Sequence, residues 1–406
     1  MIKVAVLGYG TVGSGVVEVL EKNRQQVAGK AGQELQVAYI LDLRDFPEDP
    51  YADKVIHDFQ VILQDAEVDI VCEVMGGVGP AYQFTKQALE AGKSVCTSNK
   101  ELVARHGAEL LEIAMAHGCS YLFEASVGGG IPLIRPICNA LTAEKLLSVT
   151  GILNGTTNYI LTRMDREGAD YGQVLNKAQE LGYAERNPEA DVEGHDACRK
   201  IAILSSLLTG KNVDPKGIYT EGITGITSAD FAYARAAGCS IKLLAASHIQ
   251  EDGSVCAWVA PFLVEMAHPL AAVNDVFNGV LVNGNMVGEV MFYGPGAGKL
   301  PTASAVVADV IDCARNGNRT ISCGWSEEPA RMSSFQKISH VFFVRASEKA
   351  REEVLAAFPV QKCVDVAERT EDFGFLTQPM EEGVFAQQYE KLGDKVSGRI
   401  RCLGVQ

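Results

Sequence analysis

Apolar segments of two kinds alternate along the first 130 residues of the chain. Short apolar runs, rich in β-branched residues, predict strands at 2–7, 35–41, 69–74, 94–97 and 120–124. Apolar residues at helical spacing predict helices at 12–20, 81–91 and 101–116. Strands that alternate with helices in this way indicate an α/β fold, with a parallel sheet covered on both faces.

The first predicted strand leads into a Gly-x-Gly-x-x-Gly motif at Gly8, Gly10 and Gly13, which opens the first helix. In this motif one glycine allows a tight turn, the next lets a pyrophosphate approach the backbone, and the third lets the helix pack on the strand. The motif therefore predicts a Rossmann-type dinucleotide-binding domain.

Asp42, after the second strand, would bind the ribose of NAD, whereas Arg44 would meet the 2′-phosphate of NADP. Both cofactors stay open, and we favour NAD.

Changes of composition near 128–130 and 316–326 divide the chain. Its 406 residues exceed what one core usually supports, so several domains are expected. A proline-initiated helix at 301–314 would return to the first domain. The predicted parts are a dinucleotide-binding domain at 1–130 completed by about 300–323, an α+β substrate-binding and dimerisation domain at 131–299, and a small C-terminal α+β module at 330–406.

Candidate chemistry lies in the middle region. A helix would bring Asp196 and Lys200 onto one face, and Glu185 and Asp191 precede them in a loop. Three carboxylates around one lysine suit the binding of an amino group and the transfer of a proton, although a solvated surface ion pair is the alternative. The helix start at Asn154–Tyr159, after a strand at 146–153, would bind an anionic group such as a carboxylate or be ordinary capping.

Composition narrows the class of protein. The net charge of -15 and the lack of a basic patch argue against nucleic acid or an anionic membrane surface as partner. The sequence offers neither a membrane-length apolar run nor a signal peptide, which favours a cytoplasmic location. The eleven cysteines are scattered in apolar segments, as expected for reduced core thiols.

From residue 1 to about residue 325 the chain resembles the monofunctional bacterial homoserine dehydrogenases. The motifs that carry the resemblance are Gly8–Gly13, Met75–Gly77, Ser98–Lys100, Glu124–Pro132, Asn154–Tyr159, Asp191–Lys200, Glu221–Thr224, Phe292–Gly298 and Pro301–Ser304. The resemblance implies reversible, NAD(P)H-dependent reduction of aspartate 4-semialdehyde to L-homoserine, a step in threonine and methionine biosynthesis.

The resemblance also assigns roles to residues. It implies that Lys200 donates the proton, that Asp196 positions it, and that Lys100 polarises the substrate. Substrate binding would fall to Glu185, Asp191, Gly155 and Thr156. The implied cofactor-binding residues are Gly8, Gly10, Thr11, Val12, Gly13, Asp42, Arg44, Gly76, Thr97, Ser98, Lys100 and Gly298.

Two loops carry further expectations. The segment from Glu124 resembles a monovalent-cation loop, in which the Glu124 carboxylate and the carbonyls of Val127, Gly129 and Ile131 would surround Na⁺ or K⁺. The alternative is a glycine-rich crossing between domains. The loop at 294–298 would act as a lid or hinge over the nicotinamide.

The C-terminal region is similar to the small ACT regulatory domain. We expect a strand at 342–345, a helix at 347–358, and further strands at 364–366, 384–385 and 400–403. The proline and glycine turn of an effector site is absent after Arg345, which favours a degenerate ACT-like module without threonine feedback. The family also implies a homodimer or a higher homo-oligomer.

Two other functions are alternatives to homoserine dehydrogenase activity. A dehydrogenase that acts on a semialdehyde through a thioester needs an activated cysteine, yet Cys96 has no obvious histidine partner. A non-catalytic NAD(P)-binding sensor would be expected to lose the proton-handling lysines, yet Lys100 and Lys200 are both present.

Overall fold

Two β-sheets organise the chain in the computed structural model, which describes residues 1–317 and 323–405. The predicted completion of the first domain at 300–323 therefore falls partly, at 318–322, outside the described residues. None of the described helices has the length and apolar character needed to cross a membrane.

The first sheet is parallel, with the strand order β3-β2-β1-β4-β5-β6. Its strands are β1 (Ile2–Leu7), β2 (Leu35–Leu41), β3 (Val55–Ile56), β4 (Val68–Glu73), β5 (Ser94–Thr97) and β6 (Tyr121–Leu122). The helices of this region are α1 (Thr11–Lys22), α2 (Arg24–Ala31), α3 (Phe59–Gln64), α4 (Gly79–Glu90) and α5 (Lys100–Ala116). This order is typical of dinucleotide-binding sheets and confirms the predicted α/β fold.

The sequence of β1 explains its central position. Val4 and Val6 belong to one buried core, whereas Ala5 and Leu7 belong to another on the opposite face. Because side chains alternate along a strand, a continuous apolar run is what a strand covered on both faces requires. The strand order reverses between β1 and β4, so the crevice for a ligand lies at their carboxyl ends.

Helix α11 (Lys299–Arg315) returns from far along the chain and packs on α1. Gly15 makes the close contact possible, because a Cβ there would lie 2.8 Å from the backbone oxygen of Lys299 and 3.0 Å from the Cβ of Ala303. Val306 and Val310 are fully buried in the core that also contains β1. The helix predicted at 301–314 thus lies within α11 and packs on α1 of the first sheet.

The second sheet is mixed, and its main path in the described part of the chain is β12-β11-β7-β9-β10-β17-β13-β15-β14, with β8 beside β10 and β16 beside β13. Its strands are β7 (Leu146–Ile152), β8 (Tyr219–Thr220), β9 (Cys239–Ile249), β10 (Val255–Glu265), β11 (Phe277–Gly284), β12 (Gly288–Pro295), β13 (Ser339–Ser347), β14 (Val360–Val364), β15 (Asp372–Thr377), β16 (Met380–Glu381) and β17 (Val396–Leu403). Its helices are α6 (Gly155–Glu167), α7 (Tyr171–Glu180), α8 (Glu189–Val192), α9 (His195–Thr209), α10 (Ser228–Ala236), α12 (Arg351–Ala357) and α13 (Glu382–Leu392).

The C-terminal region has the order β-α-β-β-α-β when the two-residue strand β16 before α13 is set aside, and it joins the second sheet through parallel pairing of β17 with β10. The predicted strand at 384–385 is wrong, because Val384 and Phe385 lie in α13. Phe385 stacks there on Phe342 with a centroid distance of 3.7 Å. The strand predicted at 364–366 ends at Val364, and Ser347 ends β13 rather than beginning a helix. The predicted strand at 120–124 is likewise shorter than expected.

Candidate active site

A buried carboxylate, Asp196 in the first turn of α9, pairs with two lysines. Its Oδ2 lies 2.8 Å from Nζ of Lys200, and its Oδ1 lies 2.7 Å from Nζ of Lys100, the first residue of α5. Burial alone would raise the pKa of Asp196, but the two ammonium groups outweigh burial and hold this pKa below its usual range. The predicted helical pairing of Asp196 with Lys200 is confirmed, and the surface ion pair is excluded because both side chains are buried.

The two lysines differ in their surroundings. Nζ of Lys200 also donates to the carbonyl of Leu153 at 2.7 Å, and the residue is buried. Lys100 is half-buried; burial lowers its pKa, but the nearby Asp196 outweighs this and leaves the pKa raised. Lys200 is therefore fixed in place by two partners, whereas Lys100 reaches the same carboxylate from the edge of the first sheet.

Asn154 links the acidic residues of this cluster. Its Nδ2 donates to Asp191 Oδ1 at 2.7 Å and to Asp196 Oδ2 at 2.9 Å, while its Oδ1 accepts from the amide of Thr157 at 2.9 Å. The residue thus caps α6 and orients both carboxylates. Sequence reasoning gave Asn154 no role beyond the helix start, and its N-cap pattern was the available signal. Burial and the neighbouring Asp196 raise the pKa of Asp191.

The other predicted substrate residues lie at one side of this cluster. The hydroxyl of Thr156 donates to the carbonyl of Tyr183 at 2.7 Å, which ties the start of α6 to the loop that contains Glu185. Glu185 is exposed in that loop. Gly155 packs closely, since a Cβ there would lie 2.7 Å from the oxygen of Val276.

The glycine motif forms a cradle at the start of α1. Gly8 has a φ of 93°, and a Cβ at Gly13 would lie 1.8 Å from the oxygen of Gly8, whereas a Cβ at Gly10 would meet no atom within 4 Å. Space is therefore left at Gly10, where Thr11 and Val12 begin the helix. This is the space and polarity that a pyrophosphate requires at a helix N-terminus.

Asp42 and Arg44 bind each other at the end of β2. The guanidinium donates from Nε to Oδ1 at 2.9 Å and from Nη2 to Oδ2 at 3.0 Å, and the amide of Tyr9 donates to Oδ2 at 2.8 Å. Arg44 holds the pKa of Asp42 below its usual range. The Asp42 carboxylate is largely covered, whereas the Arg44 side chain is 63% exposed. The arginine can therefore leave the carboxylate without unfolding its surroundings.

A carboxylate that sequence reasoning missed, Glu73, lies at the carboxyl end of β4. It accepts from the hydroxyl of Thr97 at 2.7 Å and from the amide of Met75 at 2.9 Å. Burial raises the pKa of Glu73 to about 7. Thr97 in turn accepts from the amide of Asn99 at 2.9 Å, next to Lys100. An acidic residue ending a buried strand was the signal, and Glu73 contacts the predicted residues Thr97, through its side chain, and Ser98, whose amide donates to its backbone oxygen at 3.4 Å.

The predicted cation loop is held by many internal contacts. Oε1 of Glu124 accepts from the amides of Leu133 and Ile134 at 2.6 and 2.8 Å, and Oε2 accepts from the amide of Arg135 at 2.7 Å. These bonds account for the burial of this carboxylate. Within the described ranges, no three His, Cys, Asp or Glu side chains are grouped so as to hold a metal ion.

This loop crosses the predicted lid. A Cβ at Gly129, which has a φ of 57°, would lie 2.3 Å from the oxygen of Gly296, and the amide of Gly130 donates to the carbonyl of Pro295 at 3.2 Å. Gly298, with a φ of 128°, then precedes α11. The carbonyl-bearing segment from Val127 to Ile131 thus contacts the segment at the start of the returning helix.

Cys96 shows why thioester chemistry does not fit. Its Sγ lies 3.7 Å from Sγ of Cys313 in the interior of the first sheet, and burial raises its pKa well above the usual value. A nucleophilic cysteine needs access and a lowered pKa.

Comparison with known families agrees with this geometry. The model of the homoserine dehydrogenase NAD-binding domain matches residues 8–124, and the homoserine dehydrogenase domain model matches residues 132–311. Together they cover the glycine cradle, the Asp196 cluster and most of α11.

Individual relatives extend the comparison. A homoserine dehydrogenase of Synechocystis sp. is 46% identical over 315 residues, covering 77% of this chain and 73% of that protein. The crystal structure of a homoserine dehydrogenase from Thiobacillus denitrificans superposes with a TM-score of 0.91 at 33% identity, covering 100% of this chain and 99% of that one. A hyperthermophilic archaeal homoserine dehydrogenase mutant in complex with NADPH superposes with a TM-score of 0.66 at 26% identity, over 78% of this chain and 98% of that one. The chain therefore belongs to the homoserine dehydrogenase family, whose members are NAD(P)-dependent oxidoreductases.

Proposed function

We propose that the protein interconverts aspartate 4-semialdehyde and L-homoserine with Lys200 as the proton donor. The observation that carries this proposal is the pairing of one buried carboxylate, Asp196, with two lysine ammonium groups. A group that protonates an alkoxide must be fixed close to it and cationic before the reaction. Asp196 and the Leu153 carbonyl restrain Nζ of Lys200, which supports this role.

The chain's own residues would orient the substrate. Asp191 and Glu185 bind its ammonium group, and the start of α6 at Gly155 and Thr156 faces its carboxylate, so the aldehyde points to the lysines. The bound nicotinamide supplies the hydride. As negative charge develops on the aldehyde oxygen, Lys100 stabilises it and Lys200 transfers its proton. In the reverse direction Lys200 accepts the proton of the homoserine hydroxyl.

Oxidation of NADH and NADPH in the presence of aspartate 4-semialdehyde tests this proposal. We expect Lys200→Ala to lose roughly two or more orders of magnitude in kcat while it still binds cofactor, because general acid catalysis contributes about that much. Lys211→Ala is the matched control, since Lys211 follows the same helix and pairs with Glu328 at the surface at 2.5 Å. Equal activity of the two variants would refute the role of Lys200.

We further propose that NAD is preferred and NADP is accepted. The Asp42 carboxylate, already oriented by the amide of Tyr9 at 2.8 Å, supports binding of ribose hydroxyls. The exposed guanidinium of Arg44 would turn from Asp42 towards a 2′-phosphate.

A monovalent-cation site at Val127, Gly129 and Ile131 is also proposed, with carbonyl oxygens as hard ligands and Glu124 as the nearby negative charge. The three amides that donate to Glu124 hold its carboxylate beside this segment. Replacement of Na⁺ and K⁺ by choline should lower activity, and unchanged kinetics would refute the proposed site.

The remaining proposals concern organisation. We propose the three-part division at about 130 and 330, a homodimer built through the second sheet, and an ACT-like C-terminal module without threonine feedback. The β-α-β-β-α-β order, interrupted only by the two-residue β16, supports the ACT-like identification. We also propose a cytoplasmic location, which the burial of most described cysteines as core thiols supports.

A further inference from the structure

A buried ion network connects the C-terminal strand to the middle of the chain. Arg401 on β17 is 2% exposed. It donates to Glu382 from Nε and Nη2 at 2.6 and 2.9 Å, and to Glu221 from Nη1 at 2.8 Å. The rings of Tyr219 and Phe335 lie 5.1 and 5.3 Å from the guanidinium. One arginine thus fixes a carboxylate of its own module and a carboxylate of the middle region.

Glu221 is restrained at both its side chain and its backbone. Its carboxylate also accepts from the hydroxyl of Tyr219 at 2.7 Å, and its amide donates to the carbonyl of Val259 on β10 at 2.8 Å. Burial would raise its pKa, but Arg401 outweighs burial and keeps the pKa low, so the carboxylate stays charged.

The residues after Glu221 pack on the turn that precedes α9. A Cβ at Gly222 would lie 2.2 Å from the oxygen of Val192, so the two backbones are in direct contact. The amide of Ile223 donates to the same oxygen at 2.8 Å, and the hydroxyl of Thr224 donates to Glu193 at 3.1 Å. This turn, residues 192–194, separates Asp191 from Asp196.

We infer that Arg401 is a positioning residue for the substrate site. Through Glu221 it fixes the segment that holds the 192–194 turn, and the turn sets the spacing of Asp191 and Asp196. A buried arginine with two carboxylate partners has little conformational freedom, so it holds Glu221 in one position. The inference rests on the proposed role of Asp191 in binding the substrate ammonium group.

Steady-state kinetics of Glu221→Gln and Arg401→Met test this inference in the full chain. We expect each variant to raise the KM for homoserine about tenfold, because small displacements of positioning groups are costly. The KM for the dinucleotide should change by less than about twofold, since that site lies on the first sheet. Arg401→Lys should recover part of the loss, because an ammonium keeps the charge but cannot hold both carboxylates in bidentate fashion.

Arg345→Met is the matched control. Arg345 is also buried in the C-terminal region and binds Asp230 at 2.9 Å, but its partner caps α10 rather than leading to the turn. An equal rise of the homoserine KM in Arg345→Met would show general destabilisation and overturn the inference. If Arg401→Met fails to fold, the homoserine KM of the near-isosteric variant Glu221→Gln tests the inference alone.

Asp191→Asn separates the inference from the function on which it rests. An unchanged homoserine KM in Asp191→Asn would refute the proposed substrate role of Asp191, and the positioning inference with it. A raised KM in Asp191→Asn together with an unchanged KM in folded Glu221→Gln would overturn the positioning inference alone.

Discussion

Glu73 is a carboxylate that the fold holds away from water beside the nucleotide crevice. Its partners are neutral, namely the Thr97 hydroxyl, the Met75 amide and the Asn99 side chain, and burial outweighs them and raises its pKa from 4.5 to about 7. The folded protein therefore keeps the Glu73 proton over a pH range in which the unfolded chain has released it. The contribution of Glu73 to stability must therefore fall as the pH rises from about 4.5 to 7.

The variant Glu73→Gln should remove this dependence. Glutamine resembles the protonated side chain, so the variant should gain stability relative to wild type as the pH rises from 5 to 8, by about 2.5 kcal/mol at 1.4 kcal/mol per pKa unit. Urea unfolding at both pH values measures the difference. Glu90→Gln, at the exposed end of α4, is the control. A difference between Glu73→Gln and wild type that is independent of pH would contradict the argument.

Arg44 allows the cofactor proposal to be tested at a single residue. Arg44→Ala should raise the KM for NADPH about tenfold or more, because a charge-assisted hydrogen bond contributes about 1.5–3 kcal/mol, and should leave the KM for NADH nearly unchanged. Arg105→Ala, which removes an exposed pairing with Glu101 at 3.0 Å, serves as the control. A parallel change of both cofactor constants in Arg44→Ala would exclude a contact specific to the 2′-phosphate.

At the scale of elements, the contact between α1 and α11 depends on a glycine. Gly15→Ala would bring a Cβ within 2.8 Å of the backbone oxygen of Lys299, which cannot move as a flexible side chain does. We expect a loss of about 1–3 kcal/mol in the free energy of unfolding. Gly29→Ala is the same change in α2, where a Cβ would meet no atom within 4 Å, and it should stabilise by up to about 1 kcal/mol. Thermal and urea unfolding of the two variants measure these changes. A change in the free energy of unfolding with the same sign in both variants would contradict the close packing of α1 on α11.

The same elements show what a sequence can predict. Strands β2 and β5 have the predicted bounds because short runs with β-branched residues, bounded by glycine and polar residues, favour strands. Val384 and Phe385 were mistaken for a strand because two apolar residues fit either a helix or a strand. The placement of Lys100 beside Asp196 depends on a contact between distant elements, and only the family resemblance anticipated it. Glu73, Asn154 and Arg401 were missed as site residues because their partners lie far along the chain or in the backbone.

At the scale of the whole molecule, the second sheet continues from the middle region into the C-terminal module but ends at β12. Alternate residues of β12 are exposed, namely Glu289, Met291, Tyr293 and Pro295. Phe277 on β11 stacks on Tyr293 with a centroid distance of 5.3 Å, so the exposed face is partly aromatic. An apolar strand at the end of a sheet tends to pair or pack with another chain. This face supports the proposed dimer.

The variant Tyr293→Lys should therefore weaken the dimer. A lysine would place a charge in a desolvated contact, so light scattering should show a lower mass than wild type at the same protein concentration. Met115→Lys is the control, because Met115 is half exposed on α5 of the first sheet, away from β12. A Tyr293→Lys protein with the mass of the wild-type dimer would place the interface elsewhere, and a monomeric wild type would refute the dimer itself. If the monomer of the variant retains the homoserine KM, the Asp196 cluster is complete within one chain, as its contacts between α5, α6 and α9 imply.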